Sequence, residues 1–176
     1  MKVSHMDKYP NWYKHISAPW RGRPQAARML NALDKGLVAI IAVAYVGVLA
    51  WLLARFAVQG DVRFWRALLV PAISFALVSA LRKAINAPRP YEKYAIDPLI
   101  KKDTHGKSFP SRHLFSAAII ACALWWVLPA LGAPAFVACL VVAFCRIVGG
   151  VHFPRDIVGA FAFALAFGAI GFILIP

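Results

Sequence analysis

The sequence predicts an all-α protein, a polytopic transmembrane helical bundle of about five spans with a possible interfacial helix at its N-terminus. Three observations carry that prediction. Hydrophobic residues make up 61% of the chain and charged residues only 15%, where a soluble domain has about half and a quarter. The apolar residues fall in runs long enough to cross a bilayer. The Lys and Arg residues gather at the ends of those runs. A chain of 176 residues could not hide so much apolar side chain in one water-soluble core.

Residues 1–35 form a basic, aromatic segment with Trp12, Tyr13 and Trp20. Such a mixture ahead of an apolar run suits the lipid headgroup layer, and 25–35 is predicted as a short helix on the membrane surface. No apolar core of a signal peptide stands in this segment. Residues 36–176 are then the membrane domain. Gly36 to Ala54 carries no charge and is close to the roughly 20 residues that cross a core of about 30 Å. Arg55 closes it and Gln59-Gly60-Asp61 makes the turn.

The second span runs from about Phe64 to Leu81, behind the anchors Arg63, Trp65 and Arg66, with Pro71 inside it. A membrane helix tolerates such a proline. Residues 84–110 follow as a long polar loop. The third span runs from about Arg112 to Leu128. A turn at Leu131-Gly132-Ala133 is expected next, and Pro134 then suits the first turn of a fourth span ending near Ile147. A short segment, Val148 to Arg155, leads to the fifth span, Ile157 to Pro176, whose Ala, Gly and Phe residues allow close packing in lipid.

Counting crossings puts the N-terminus, the long loop and the short segment on one face. Of the 20 Lys and Arg residues, all but Arg55, Arg63 and Arg66 lie there. The net charge of +13 is therefore local. Nucleic acid is a poor partner for a polytopic chain without any such motif; membrane lipids and a phosphate-bearing lipid fit better. Cys122, Cys139 and Cys145 lie in apolar runs and read as small hydrophobes.

Three polar clusters sit at helix ends on the charged face: Arg82-Lys83 through Arg89-Pro90, then Pro110-Ser111-Arg112-His113, then Arg146 to Asp156. Ionisable groups at such positions are costly, and several together point to function. Arg82, Arg89 and Arg146 offer forked donors that match phosphate oxygens. Ser111 is a good N-cap, and the free N–H groups behind it favour an anion close to His113. Asp156 follows His152 by four residues, a spacing at which a carboxylate can fix an imidazole tautomer. Two imidazoles, several arginines and a carboxylate are the parts for phosphoryl transfer through a phosphohistidine. One imidazole attacks phosphorus, the other protonates the leaving alkoxide, and the cations hold the oxygens. No metal or other cofactor is called for. No His-Glu-x-x-His or Cys cluster is present, and the arginines would repel a cation.

These clusters resemble the signature of the type 2 phosphatidic acid phosphatase (PAP2) superfamily: Lys-x6-Arg-Pro, Pro-Ser-Gly-His and Ser-Arg-x5-His-x3-Asp. Here they stand as Arg82-x6-Arg89-Pro90, Pro110-Ser111-Arg112-His113 and Cys145-Arg146-x5-His152-x3-Asp156. The resemblance implies a small bacterial-type membrane lipid phosphatase with His152 as nucleophile, Asp156 orienting it and His113 as general acid. It implies that Arg82, Arg89, Ser111, Arg146 and the amide of Arg112 hold the phosphate. Arg82 stands where the family usually has Lys, so Arg82 and Lys83 remain alternatives for that contact. Arg112 replaces Gly and brings a further candidate phosphate contact; Cys145 replaces Ser.

The implied substrates are phosphatidic acid, phosphatidylglycerol phosphate or a polyprenyl diphosphate, hydrolysed in a bacterial cell membrane. A lipid phosphotransferase on the same fold, or a non-enzymatic transporter or scaffold, are the rival readings. Charges at helix ends rather than mid-membrane argue against a transporter. The charge asymmetry favours a cytoplasmic active face, but phosphate binding explains part of it and bacterial relatives often face outward. The face and the oligomeric state are left open. His105 and the group Lys101, Lys102 and Lys107 read as solvated or headgroup-facing.

Overall fold

A computed structural model describes residues 5–174; the first four residues and the last two, including the expected end of the fifth span at Pro176, lie outside the described residues. The described chain is helical without strands. In order, the elements are α1 (His5–Ser17), a 3-10 turn (Ala18–Trp20), α2 (Pro24–Gln59), α3 (Arg63–Ile85), the short α4 (Pro90–Lys93), α5 (Arg112–Val127), α6 (Pro129–Val148) and α7 (Pro154–Ala169), which runs into a π-helical turn over Ile170–Leu174. Four of these helical stretches are long and apolar enough to cross a membrane, and α5 is a fifth, shorter apolar helix.

α5 is the central helix and packs against α2, α3, α6 and α7. Its position explains its composition. Leu114, Phe115, Ala117, Ala118, Ile119, Ala121 and Leu124 are all buried, so the helix must be apolar on every side. Small residues let its neighbours approach. A Cβ at Gly132 would run into the backbone of Trp125, so α6 lies directly against α5. The outer faces stay apolar too: Val43 is 72% exposed and Val158 67% exposed. Such faces suit lipid, where there is no penalty for exposing hydrocarbon.

At the end of the bundle away from the polar clusters, aromatic and cationic side chains pair, with Arg55 over Trp51 and Arg66 over Trp126. Asp61 joins the α2–α3 turn by accepting from Arg55 Nε at 2.9 Å and Arg63 Nη2 at 2.7 Å. Those hydrogen bonds, led by Arg63, hold its carboxyl well below the usual carboxylate range.

Two boundaries differ from the sequence expectation. The predicted surface helix over 25–35 does not exist separately; those residues are the first turns of α2, which has 36 residues. At 1.5 Å per residue it spans about 54 Å, so its head projects beyond the hydrocarbon as a continuation of the span. No turn forms at Leu131-Gly132-Ala133 either. Helix α6 starts at Pro129, directly after an extended Leu128, with Pro134 inside it. Proline at the first helical position lacks only an N–H that would be unpaired anyway.

Helix α1 lies against the polar end of the bundle. Tyr13 is 1% exposed; its hydroxyl donates to the Val148 carbonyl at 3.3 Å and accepts from the Leu99 amide at 3.2 Å. Tyr9 packs on Phe153 at 4.9 Å and on Tyr94 at 5.1 Å. Gly150 has φ +74, and a Cβ there would meet Tyr13 Oη at 2.5 Å. Glycine therefore satisfies both the left-handed backbone and the close approach. In this way α1 braces the segment that carries His152.

Candidate active site

The polar end of the bundle holds a cavity of about 390 Å3, lined by Arg82, Arg89, Arg146, Lys102, Arg112, His113 and His152 among others. The three sequence clusters thus converge in space. α3 supplies Arg82, the head of α4 supplies Arg89, α5 supplies Arg112 and His113, α6 supplies Arg146, and the α6–α7 segment supplies His152.

The end of each element explains how its side chain is placed. α3 stops at Asn86, which takes a left-handed conformation (φ 43) and donates its N–H to the Arg82 carbonyl at 3.0 Å. This is a C-cap that asparagine tolerates. α7 begins at Pro154, with Phe153 as its N-cap. Asp156 accepts the Phe153 amide at 3.0 Å, so one carboxylate both caps the helix and reaches the histidine before it.

His152 is 2% exposed. Its Nδ1 lies 3.4 Å from Asp156 Oδ2 and 3.4 Å from Ser108 Oγ, whose hydroxyl donates to the same carboxylate oxygen at 2.5 Å. With the Nδ1 proton directed to Asp156, the Nε2 lone pair is left for an electrophile. Burial, reinforced by Arg146 and Arg89 and opposed by Asp156, draws the imidazole down to about 4. His152 is therefore neutral over the physiological range, as a nucleophile must be.

A pH prediction follows. Once the substrate's own second ionisation is accounted for, the acid limb of kcat/KM attributable to His152 should lie nearer pH 4 than 6.5, because kcat/KM reports the free enzyme. A limb at 6.5 would contradict the burial argument. Stability should move with it. The unfolded chain takes up the proton first, so His152 makes the fold less stable as pH falls from about 6.5 towards 4.

The cationic wall is pre-oriented. Arg89 donates from Nε to Gly106 O at 3.1 Å and from Nη1 to Val151 O at 3.4 Å. Arg82 donates to the Pro110 carbonyl and is 8% exposed. Arg112 is exposed, over the ring of Phe75. Lys83 is exposed and lines an adjoining cavity with Lys107 and His105 rather than the one holding His113 and His152. Arg82→Ala is thus expected to lower kcat/KM by roughly 100-fold, the scale of one lost charge-assisted phosphate contact. Lys83→Ala should lower it only a few-fold. Steady-state kinetics of the two variants checks the order, and the reverse order would assign the contact to Lys83.

Ser111 occupies the N-cap of α5, but its hydroxyl makes no capping bond and does not line the cavity. Instead its amide donates to the Asp156 carbonyl at 3.1 Å, while its buried Oγ has no hydrogen-bond partner. The expected cap is absent; Ser111 is fully buried and its backbone is tied to α7. Cys145 is fully buried and does not line the cavity.

Three residues of the site escape sequence reading. Ser108 reaches His152 and Asp156 only through the loop's path. Lys102, read from sequence as solvated, lines the cavity; burial and the neighbouring Arg146 draw its ammonium down to about 8. Asp34, on α2, is 1% exposed and accepts from Arg146 Nε at 2.7 Å. Its one sequence signal is a carboxylate at the mouth of an apolar span in a basic segment.

No curated protein sequence matches the chain. Solved structures share its fold, two of them as follows. LpxE of Aquifex aeolicus matches with a TM-score of 0.67 and 21% identity over 92% of both chains. The first transmembrane PAP2 type phosphatidylglycerolphosphate phosphatase from Bacillus subtilis matches with a TM-score of 0.67 and 22% identity, over 95% of this chain and 86% of its own. The sequence profile of the PAP2 superfamily matches residues 63–176, from the start of α3 through all three polar clusters. The chain therefore belongs to the PAP2 superfamily, as an integral membrane member.

Proposed function

We propose that this membrane phosphatase hydrolyses a phosphomonoester or diphosphate of a lipid through a phosphohistidine formed on His152. The observation that carries the reading is a neutral imidazole, held through Nδ1 by Asp156, in the wall of a cavity whose charged lining is cationic. That cavity opens at the polar end of an apolar bundle, where a headgroup can enter while its tail stays in hydrocarbon. One of the similar solved structures is a phosphatidylglycerolphosphate phosphatase, which supports a lipid substrate. Phosphatidic acid, phosphatidylglycerol phosphate and a polyprenyl diphosphate are the candidates, and a bacterial cell membrane is the expected location.

The phosphate oxygens bind Arg82, Arg89 and Arg146. His152 Nε2 attacks phosphorus, the N–P bond forms, and the P–O bond to the lipid breaks. His113 gives its proton to the departing oxygen. Water then attacks the phosphohistidine, His113 takes a proton from it, and the N–P bond breaks to release inorganic phosphate and neutral His152.

The test is phosphate release in detergent from a panel of lipid phosphates, for wild type and His152→Ala, with and without EDTA. Release that survives EDTA and disappears in His152→Ala supports the reading. Release unchanged by the substitution overturns the nucleophile. Transfer of labelled phosphate to another lipid, without inorganic phosphate, would make the protein a phosphotransferase.

A further inference from the structure

Asp34 lies outside the segment that matches the superfamily, residues 63–176. It is nonetheless the buried acid that touches both partners of the proposed chemistry. Its Oδ1 accepts from Arg146 Nε at 2.7 Å and lies 3.6 Å from His113 Nε2. Its backbone carbonyl lies 3.3 Å from the same His113 nitrogen. Arg146 and His113 belong to α6 and α5, so one residue of α2 fixes side chains from two other helices. Both of those side chains line the cavity with His152.

The geometry has two consequences. Holding Arg146 by Nε commits that nitrogen and turns the two terminal amino groups of the fork to the phosphate oxygens. Holding His113 by Nε2 leaves Nδ1 to carry the proton that the leaving oxygen receives. A carboxylate at this point also offsets the repulsion among Arg146, Lys102 and His113, which share the cavity wall.

We infer that Asp34 is a positioning residue for the reaction, setting Arg146 for phosphate binding and His113 for protonation of the leaving group. The inference rests on the roles proposed above for His113 and His152. A purely structural ion pair is the alternative. It would stabilise the packing of α2 on α6 without acting on one chemical step more than another.

The experiment compares wild type, Asp34→Asn, Asp34→Glu, His113→Ala and His152→Ala in detergent on two substrates. Phosphatidic acid has an alkoxide leaving group that needs a proton; p-nitrophenyl phosphate releases a stabilised phenolate that does not. The Ki of inorganic phosphate is measured alongside, as a readout of Arg146. Asp34→Asn is expected to lose at least tenfold more kcat on phosphatidic acid than on p-nitrophenyl phosphate, in the direction set by His113→Ala. Its Ki for phosphate should rise about tenfold, with partial recovery in Asp34→Glu.

Equal losses on both substrates with an unchanged Ki would overturn the inference and leave a structural pair. If Asp34→Asn cannot be recovered as a folded, monodisperse protein, Asp34→Glu decides by the same two readouts. It keeps the charge and displaces it by one methylene, so equal losses on both substrates with an unchanged Ki in that variant would overturn the inference. Full activity in His152→Ala, or no turnover by wild type, would overturn the functional reading itself, an outcome distinct from any behaviour of the Asp34 variants.

Discussion

His152→Ala is expected to lower kcat on a lipid phosphate by at least about 10^4-fold, the scale of losing a nucleophile from a site whose other groups persist. Binding should survive, because Arg82, Arg89 and Arg146, the proposed holders of the phosphate oxygens, are each oriented through their own contacts rather than through the imidazole. The measurement is single-turnover hydrolysis with labelled substrate, quenched in base. Wild type should show label on the protein that is stable in base and released in acid, the behaviour of an N–P bond. The variant should show none. Label of the same stability on His152→Ala would move the nucleophile to another nitrogen, His113 being the first to test.

The second large effect is expected at Asp156. Asp156→Asn should lower kcat by about 10^3-fold or more, the scale seen when a buried carboxylate behind a catalytic imidazole loses its charge. KM should change little. The physical reason lies in which contacts the amide can keep. Asp156 Oδ2 accepts from the Phe153 amide, the Ser108 hydroxyl and His152 Nδ1. An asparagine oxygen in that place still accepts them, so α7 keeps its first turn.

What the amide cannot supply is negative charge beside the imidazole that, in the proposed step, becomes cationic on bonding to phosphorus. Helix content and melting temperature measured beside the kinetics separate the two effects. A loss of kcat with an intact fold supports the electrostatic role. A parallel loss of fold would mean that Asp156 acts mainly as the helix cap.

The sequence read most of this architecture because a bilayer imposes a simple rule. Backbone groups in hydrocarbon must be paired within the segment, so apolar runs become helices. The runs at 36–54 and 64–81 each fall on a helix, as do residues 112–127 and 157–174 of the runs expected at 112–128 and 157–176. The boundaries at Pro24 and Pro129 were not legible. Both prolines permit a helix to start, and only packing decides whether the helix starts there or later. The expected surface helix merged into α2 because nothing between Pro24 and Gly36 breaks the helix, and a span can project into the headgroup layer.

The site divides along the same line. Arg82, Arg89, His113, Arg146 and His152 were legible as local clusters at helix ends, and they line one cavity. Their spacing along the chain is fixed by the turns that bear them: the Asn86 cap, the Ser111 helix start and the Phe153-Pro154 entry into α7. Asp34, Ser108 and Lys102 were not legible, because each reaches the site across the bundle or along an irregular loop. Asp34 lies far along the chain from Arg146, and no local pattern relates the two.

By itself, then, the sequence determined the membrane solvent, the helices and the face on which the charges gather, since each depends on neighbours in the chain. The tertiary structure alone decided that Arg82 rather than Lys83 lines the cavity with His113 and His152, and that the Ser111 hydroxyl makes no cap bond. It also decided that a carboxylate from the first long helix closes on Arg146 and His113. Those outcomes depend on how helices distant in sequence are packed, and buried charges settle wherever that packing gives them a partner.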